Sequence, residues 1–257
     1  MSDRLIASSH NPRYRAWRRL AESAEARRET GLVLLDGEHL LESCLAAGGR
    51  PDEILVTDEV ERARWQARLP EADVARLPRH LFDALSPVRS PTGVMAVVRP
   101  PAPAAGPVRF GVLLERIQDP GNLGAMLRSA AAAGVDTVWL SSGCADLWSP
   151  KVLRGGMGAH FVLRLQDGAD LPVIAQAFPG TVLATAPLAP VSLYETELHL
   201  PLAFAFGNEG VGLSPALLSA VSQPVHIPMP GRMESLNAAA ALAVCLFEAV
   251  RQQPQCG

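Results

Sequence analysis

The sequence predicts an α/β protein of two domains, the second built on a mainly parallel sheet. Three observations predict it. Short apolar runs alternate with segments of helical period from one end of the chain to the other. A proline-rich run at residues 99–107 interrupts that alternation once. Hydrophobic residues make up 48% of the 257 and charged residues 19%, the balance of a chain with a sizeable core.

Taken in order, Asn11-Pro12 is a turn or cap signal. Tyr14, Trp17, Leu20 and Ala21 then recur at helical spacing in a basic amphipathic helix running through Arg28. Residues 31–35 read as a strand, and Asp36-Gly37 leads into a helix over 38–47 that stops at Gly48-Gly49. Strands at 54–57, 74–77 and 94–98 follow, with a polar helix reaching Leu69 between the first two. Residues 1–99 are therefore expected to form a compact α/β domain. The prolines of 100–107 lack the backbone donors that a sheet needs, which makes that stretch a linker. Beyond it, apolar strands at 110–116, 137–140, 181–186, 202–206 and 224–228 alternate with helices in a second domain, residues 108–257.

Charge narrows the function classes. A formal net charge of −3 offers no overall basic field for a nucleic acid, so any such contact is local. Residues 1–35 hold seven arginines against one aspartate and three glutamates, and Lys151 is the sole lysine. Arginine forks engage phosphates in pairs of hydrogen bonds, although genome composition produces the same bias. Arg4, Arg13, Arg15, Arg18 and Arg19 among serines also have the composition of an organellar transit segment. Asp3 and the helical pattern favour the opening of a folded domain instead. No apolar run approaches the roughly 18 residues of a membrane span, and a cytoplasmic protein is expected. Cys44, Cys144, Cys245 and Cys256 are scattered without metal spacing, so neither a disulfide nor a metal is expected. Cys44 and Cys245 read as core residues and Cys256 as an exposed tail thiol.

Three motifs carry the chemistry. Asp119-Pro-Gly-Asn122 follows a strand and opens a helix: Asp119 or Asn122 can cap it, Pro120 suits the first turn, and Gly134 suits the left-handed stop. A well-formed helix needs no more. Arg128 exceeds that need, as a full charge in an Ala/Leu/Met-rich helix about 1.5 turns after Asn122. The second motif, Phe206-Gly-Asn-Glu-Gly-Val-Gly-Leu213, lies directly after an apolar strand, where its glycines allow close backbone approach to a ligand or simply a turn. Its spacing is not the dinucleotide fingerprint, and no Walker sequence is present. The third motif runs from Ile227 to Asn237. Pro228 and Pro230 favour a rigid extended loop, and Ser235 or Asn237 can cap the Ala-rich helix that ends near Val250. A preformed apolar loop beside free helix-N-terminal amides suits an adenine and a carboxylate, respectively.

In this order, with these intervening strands, the motifs resemble the SpoU (TrmH) family of RNA 2′-O-methyltransferases. Residues 108–257 resemble its SPOUT catalytic domain. Residues 1–99 resemble the ribosomal-protein-like RNA substrate-binding domain through Ser9-His10-Asn11-Pro12 and Asp36-Gly37-Glu38-His39. The resemblance implies a deep trefoil knot and a homodimer with the active site near the subunit interface. It implies S-adenosylmethionine in loops at Gly207, Ile227 and Leu236, with Thr185 and Met229 nearby.

Ribose methylation needs a 2′-hydroxyl aligned with the methyl donor and relieved of its proton, and no histidine presents itself for that task. The family places this function on the first-motif arginine, here Arg128, helped by Asn122, Glu209, Ser235 and Asn237. A group whose pKa exceeds about 12 is a poor base. Arg128 is therefore expected to orient ribose or phosphate and to stabilise the developing alkoxide. Glu209 has a competing role in holding the loops, and Ser235 and Asn237 in capping. Arg13, Arg15, Arg18, Arg19, Lys151 and Arg154 are the candidate RNA contacts. The two-domain layout favours ribosomal RNA as substrate. The alternatives are transfer RNA, a non-catalytic RNA-binding member, and a small-molecule enzyme on the same scaffold.

Overall fold

The computed structural model describes residues 5–88, 91–100, 102, 106–208 and 210–253. Asp3, Arg4, Glu209, Cys256 and part of the proline-rich run lie outside the described residues. The chain divides into two units: Met1–Ala102 with Trp148–Phe161, and Pro103–Leu147 with Val162–Gly257.

The first unit begins with α1 (Pro12–Glu22) and α2 (Ala24–Thr30), where one helix through Arg28 was expected. Ser23 makes the break. Its N–H donates to the Arg19 carbonyl (2.8 Å), closing α1, and its hydroxyl accepts from the Ala26 N–H (3.2 Å), opening α2. Serine competes with helix continuation in this way, and Arg27 satisfies the orphan carbonyls of Leu20 and Ala21. Then come β1 (Val33–Asp36), α3 (Glu38–Ala46), β2 (Pro51–Val56), α4 (Glu59–Arg68), β3 (Asp73–Arg76), the unanticipated short α5 (Arg79–Asp83) and β4 (Val94–Val98). The sheet order is β1-β4-β2-β3, antiparallel except for β2 with β3.

Alternation along these strands feeds two cores. Val33, Leu35, Ile54 and Val56 face α3 and α4, where Trp65 and Cys44 are fully buried. Leu34, Leu55, Met95 and Val97 face Tyr14, Trp17 and Leu20 of α1. The strand expectations at 54–57 and 74–77 shift to Pro51–Val56 and Asp73–Arg76 because pairing begins before the apolar run does.

Residues 148–161, expected within the second domain, cluster with the first unit instead. Leu153 of α7 (Pro150–Gly156) and Phe161 join the core under α3, and Trp148 packs against it. The His39 ring Nε2 is hydrogen-bonded to the Met157 carbonyl (3.2 Å).

The second unit holds β5 (Phe110–Leu114), α6 (Pro120–Ala132), β6 (Thr137–Leu140), β7 (Arg164–Gln166), α8 (Leu171–Ala177), β8 (Thr181–Thr185), β9 (Val191–Ser192), β10 (Leu202–Phe206), α9 (Pro215–Ala220), β11 (Gln223–His226) and α10 (Ala238–Gln252). Seven strands form one all-parallel sheet in the order β7-β6-β5-β10-β8-β11-β9. Both faces are covered, so β5 and β10 are buried at every residue, which is why they read as unbroken apolar runs. Helices α8 and α9 cover one face through Leu171, Ala175 and Leu217, while α6 and α10 pack on each other. Among the described residues no helix is long and apolar enough to cross a membrane.

Candidate active site

The parallel strands β8, β10 and β11 are neighbours, and their C-terminal ends, Thr185, Phe206 and His226, open on one cavity of about 550 Å³. Open parallel sheets place ligands at such ends, and the volume suits a nucleoside-sized molecule. The cavity gathers Thr185, Gly207, Ile227, Met229, Ser235, Leu236 and Asn237 from widely separated segments. Across the strand ends, the Thr185 hydroxyl donates to the Ala205 carbonyl (3.3 Å).

The loop after β10 is held from inside. A Cβ on Gly207 would overlap the backbone of Gly212 and Leu213, so only glycine permits that approach. Asn208 clamps the loop: its Oδ1 accepts from the N–H groups of Gly210 (2.9 Å) and Val211 (3.2 Å), and its Nδ2 donates to the Arg116 carbonyl (3.1 Å). Glu115, buried at the end of β5, accepts from the Ser214 N–H (2.6 Å) and pins the far end. Glu209, the candidate for holding this loop, lies outside the described residues.

The first and third motifs meet directly. The Asn237 Nδ2 donates to the Asn122 Oδ1 (2.9 Å), while the Asn237 Oδ1 accepts from Ala239 (2.9 Å) and Ala240 (3.3 Å) and caps α10. Asp119, not Asn122, caps α6 by accepting from the Asn122 N–H (2.7 Å). Ser235 caps neither helix and stands exposed in the cavity wall. Arg128 is exposed on α6, does not line the cavity, and has no side-chain partner among the described residues. Six residues past Asn122, it lies about 9 Å further along the helix and on a different face.

The candidate RNA contacts separate into classes. Arg13 is committed elsewhere: its guanidinium bridges Glu53 and Asp73 (2.9 Å to the latter) and lies over the Trp17 ring, 5.3 Å from its centre. It crosslinks α1 to β2 and β3, a structural task in place of the expected RNA contact. Arg18 and Arg19 pair with Glu22 (2.8 Å) and Glu29 (3.3 Å) on the open surface, where such pairs are weak and exchange readily for phosphate. Arg15 is exposed beside the His10 ring (3.3 Å). Lys151 and Arg154 are exposed on α7.

Three groups were missed. Asn208 and Glu115 belong to the frame, and a lone carboxylate ending an apolar strand was the available signal for Glu115. His226 lines the cavity with its Nδ1 buried and without a hydrogen-bond partner among the described residues, although no histidine presented itself from the sequence for the proton-removing role. The cysteines take no part: burial pushes the Cys44 thiol up to about 11 and the Cys245 thiol up to about 12, which leaves both inert.

These residues fit S-adenosylmethionine. Ile227, Met229 and Leu236 give the cavity an apolar wall of the kind an adenine would need, and with Asn237 capping Ala239 and Ala240 the positive end of the α10 dipole is what would face a carboxylate.

Comparison with known proteins gives the family and the fold. The profile of the SpoU rRNA Methylase family matches residues 109–247, and that of an MRM3-like substrate binding domain matches residues 11–96. An uncharacterised tRNA/rRNA methyltransferase of Synechocystis is 37% identical over 96% of this chain and 94% of its own length. The 23S rRNA (guanosine(2553)-2′-O)-methyltransferase of Bacillus subtilis is 33% identical, covering 94% of this chain and 97% of its own. The crystal structure of the SpoU methyltransferase AviRb from Streptomyces viridochromogenes, in complex with the cofactor AdoMet, superposes with a TM-score of 0.83 at 28% identity, covering 94% of this chain and 98% of that one.

Proposed function

Since this chain belongs to the SpoU rRNA methylase family, we infer that it methylates a ribose 2′-hydroxyl of ribosomal RNA with S-adenosylmethionine as donor. The observation that carries this reading is the convergence of Thr185, Gly207, Ile227, Met229, Leu236 and Asn237 on one cavity at the ends of β8, β10 and β11. When bound, S-adenosylmethionine would supply an electrophilic sulfonium methyl for the 2′-oxygen, the S–CH3 bond breaking to leave the thioether S-adenosylhomocysteine and the hydroxyl losing its proton. The chain's own residues bind and align. Gly207 and Asn208 set the floor, and the 227–237 loop holds the adenosine end. The Asn122–Asn237 bond fixes α6 against the start of α10, with Ser235 beside it. Arg128 orients the ribose or its phosphate and stabilises developing negative charge, with the proton passing to water late in the step.

In this reading two chains pair. The exposed Arg128 on α6, together with Phe247 and Val250 exposed on α10, supports a homodimer in which α6 and α10 face the partner. Insertion of β10 between β5 and β8, after the chain has already passed outward through β6 and β7, supports the trefoil knot. Free thiols at Cys44, Cys144 and Cys245 support the reducing cytoplasm. In the first unit, Arg15, Arg18, Arg19, Lys151 and Arg154 are the cations this reading offers to RNA.

Incubation of the purified protein with labelled S-adenosylmethionine and separate ribosomal and transfer RNA pools tests the substrate. Label confined to a ribose of ribosomal RNA is expected. Label on transfer RNA alone, or on a base, overturns the reading, and no transfer to either pool points to a binding-only member.

A further inference from the structure

Arg116 lies two residues past the end of β5. Continuing the β5/β10 register beyond Leu114 and Phe206 brings it level with Asn208, which is in the cavity wall. Its backbone φ of +53° is in the left-handed region, where a long side chain is disfavoured and glycine or asparagine is at ease. The surroundings impose that conformation. The Arg116 N–H donates to the Ser141 hydroxyl (3.0 Å), and its carbonyl accepts from the Asn208 side chain (3.1 Å). On either side, the Glu115 N–H donates to the Phe206 carbonyl (2.8 Å) and the Ile117 carbonyl accepts from Ala145 (2.7 Å). Strain held this firmly concentrates at ligand sites.

The side chain adds what the turn itself does not require. Its stem rests on the turn after β6, where a Cβ built on Gly143 would stand 3.5 Å from the Arg116 Cγ. Its guanidinium meets no carboxylate among the described residues. A half-buried stem thus fixes a cation with no counter-charge among the described residues at the C-terminal end of β5, in the segment that leads into α6.

Resting on the methyltransferase reading, we propose that Arg116 is a substrate-positioning residue whose guanidinium binds a phosphate of the RNA strand bearing the target ribose. A planar fork of donors matches a phosphate and fixes strand register without reading sequence.

Arg116→Gly tests this, because glycine accepts the backbone angle while the stem and its cation are removed together. Three results are expected together: no fall in melting temperature, unchanged S-adenosylmethionine binding by calorimetry, and a roughly tenfold loss of affinity for a ribosomal RNA fragment, with the salt dependence shallower by about one phosphate contact. KM for RNA rises while kcat holds, and Arg116→Lys recovers part of the affinity. Unchanged RNA affinity and salt slope overturn the proposal. So does a parallel loss of stability, cofactor binding and RNA binding, which marks a framework role. Arg116→Asn, also tolerant of this angle, repeats the measurement if the glycine variant folds poorly. RNA binding is read without turnover, so a wild-type protein that binds but does not methylate ribosomal RNA refutes the function and leaves Arg116 still decided by its salt slope.

Discussion

In the first unit Arg13, Arg64, Arg68 and Arg79 all end on carboxylates, whereas Arg116 and Arg128 of the second unit meet none among the described residues. The paired set is scaffolding. Arg64 and Arg68 reach from α4 to Glu38 and Glu42 of α3 while flanking the buried Trp65 ring at 5.2 and 5.1 Å. The other two keep their charge for something outside the unit that bears them. The arginines near the N-terminus, the most visible basic feature of the sequence, are therefore of two kinds. Arg13 bridges two strands, whereas the pairs of Arg18 and Arg19 lie on the open surface, a difference that exists only in three dimensions.

The largest effect expected within this contrast is at a position that carries no charge. Gly207→Ala forces a methyl into the Gly212–Leu213 backbone, a clash worth roughly 1–3 kcal/mol even with relaxation. S-adenosylmethionine binding by calorimetry is expected to vanish, while the first unit keeps its fold. Tight binding by this variant would show that the loop is not the cofactor floor.

Arg13→Ala comes next. Loss of the bridge to Glu53 and Asp73 is expected to cost roughly 1–2 kcal/mol in denaturant unfolding, with little change in RNA affinity. A stable variant with weakened RNA binding would return Arg13 to the RNA-contacting set.

The smallest effect is a pH dependence in the first unit. Burial raises the Asp36 carboxyl above its usual range, against the opposing hydrogen bond from Ser86 (2.5 Å) and the nearby Arg154 charge. The native state thus holds that proton more tightly than the unfolded chain does. The Asp36 contribution is complete at acid pH and declines as pH rises through the folded value. Relative to wild type, Asp36→Asn is expected to gain melting temperature between acid and neutral pH. A difference that is flat with pH contradicts this.

Much of the second unit was legible because its strands are buried on both faces. The runs at 137–140 and 202–206 match β6 and β10 residue for residue, and 94–98 matches β4 in the first unit. The two-residue β9 and three-residue β7 are too short to show a period. Nothing in chain order could assign 148–161 to the first unit, since Leu153 and Phe161 look like any core residues until their neighbours are known. Within the site, glycines, prolines and caps were readable because each constrains its own backbone. Asn208, Arg116 and His226 were not, because their importance lies in what they touch or in a φ angle.

The most direct test of the contrast between the units is the turnover of Arg128→Ala on ribosomal RNA, measured at saturating RNA and S-adenosylmethionine. If the uncompensated arginine of α6 acts on the reacting ribose, kcat falls by roughly a hundredfold or more while melting temperature and cofactor affinity stay at wild-type values. Full turnover with RNA bound as before would contradict the account.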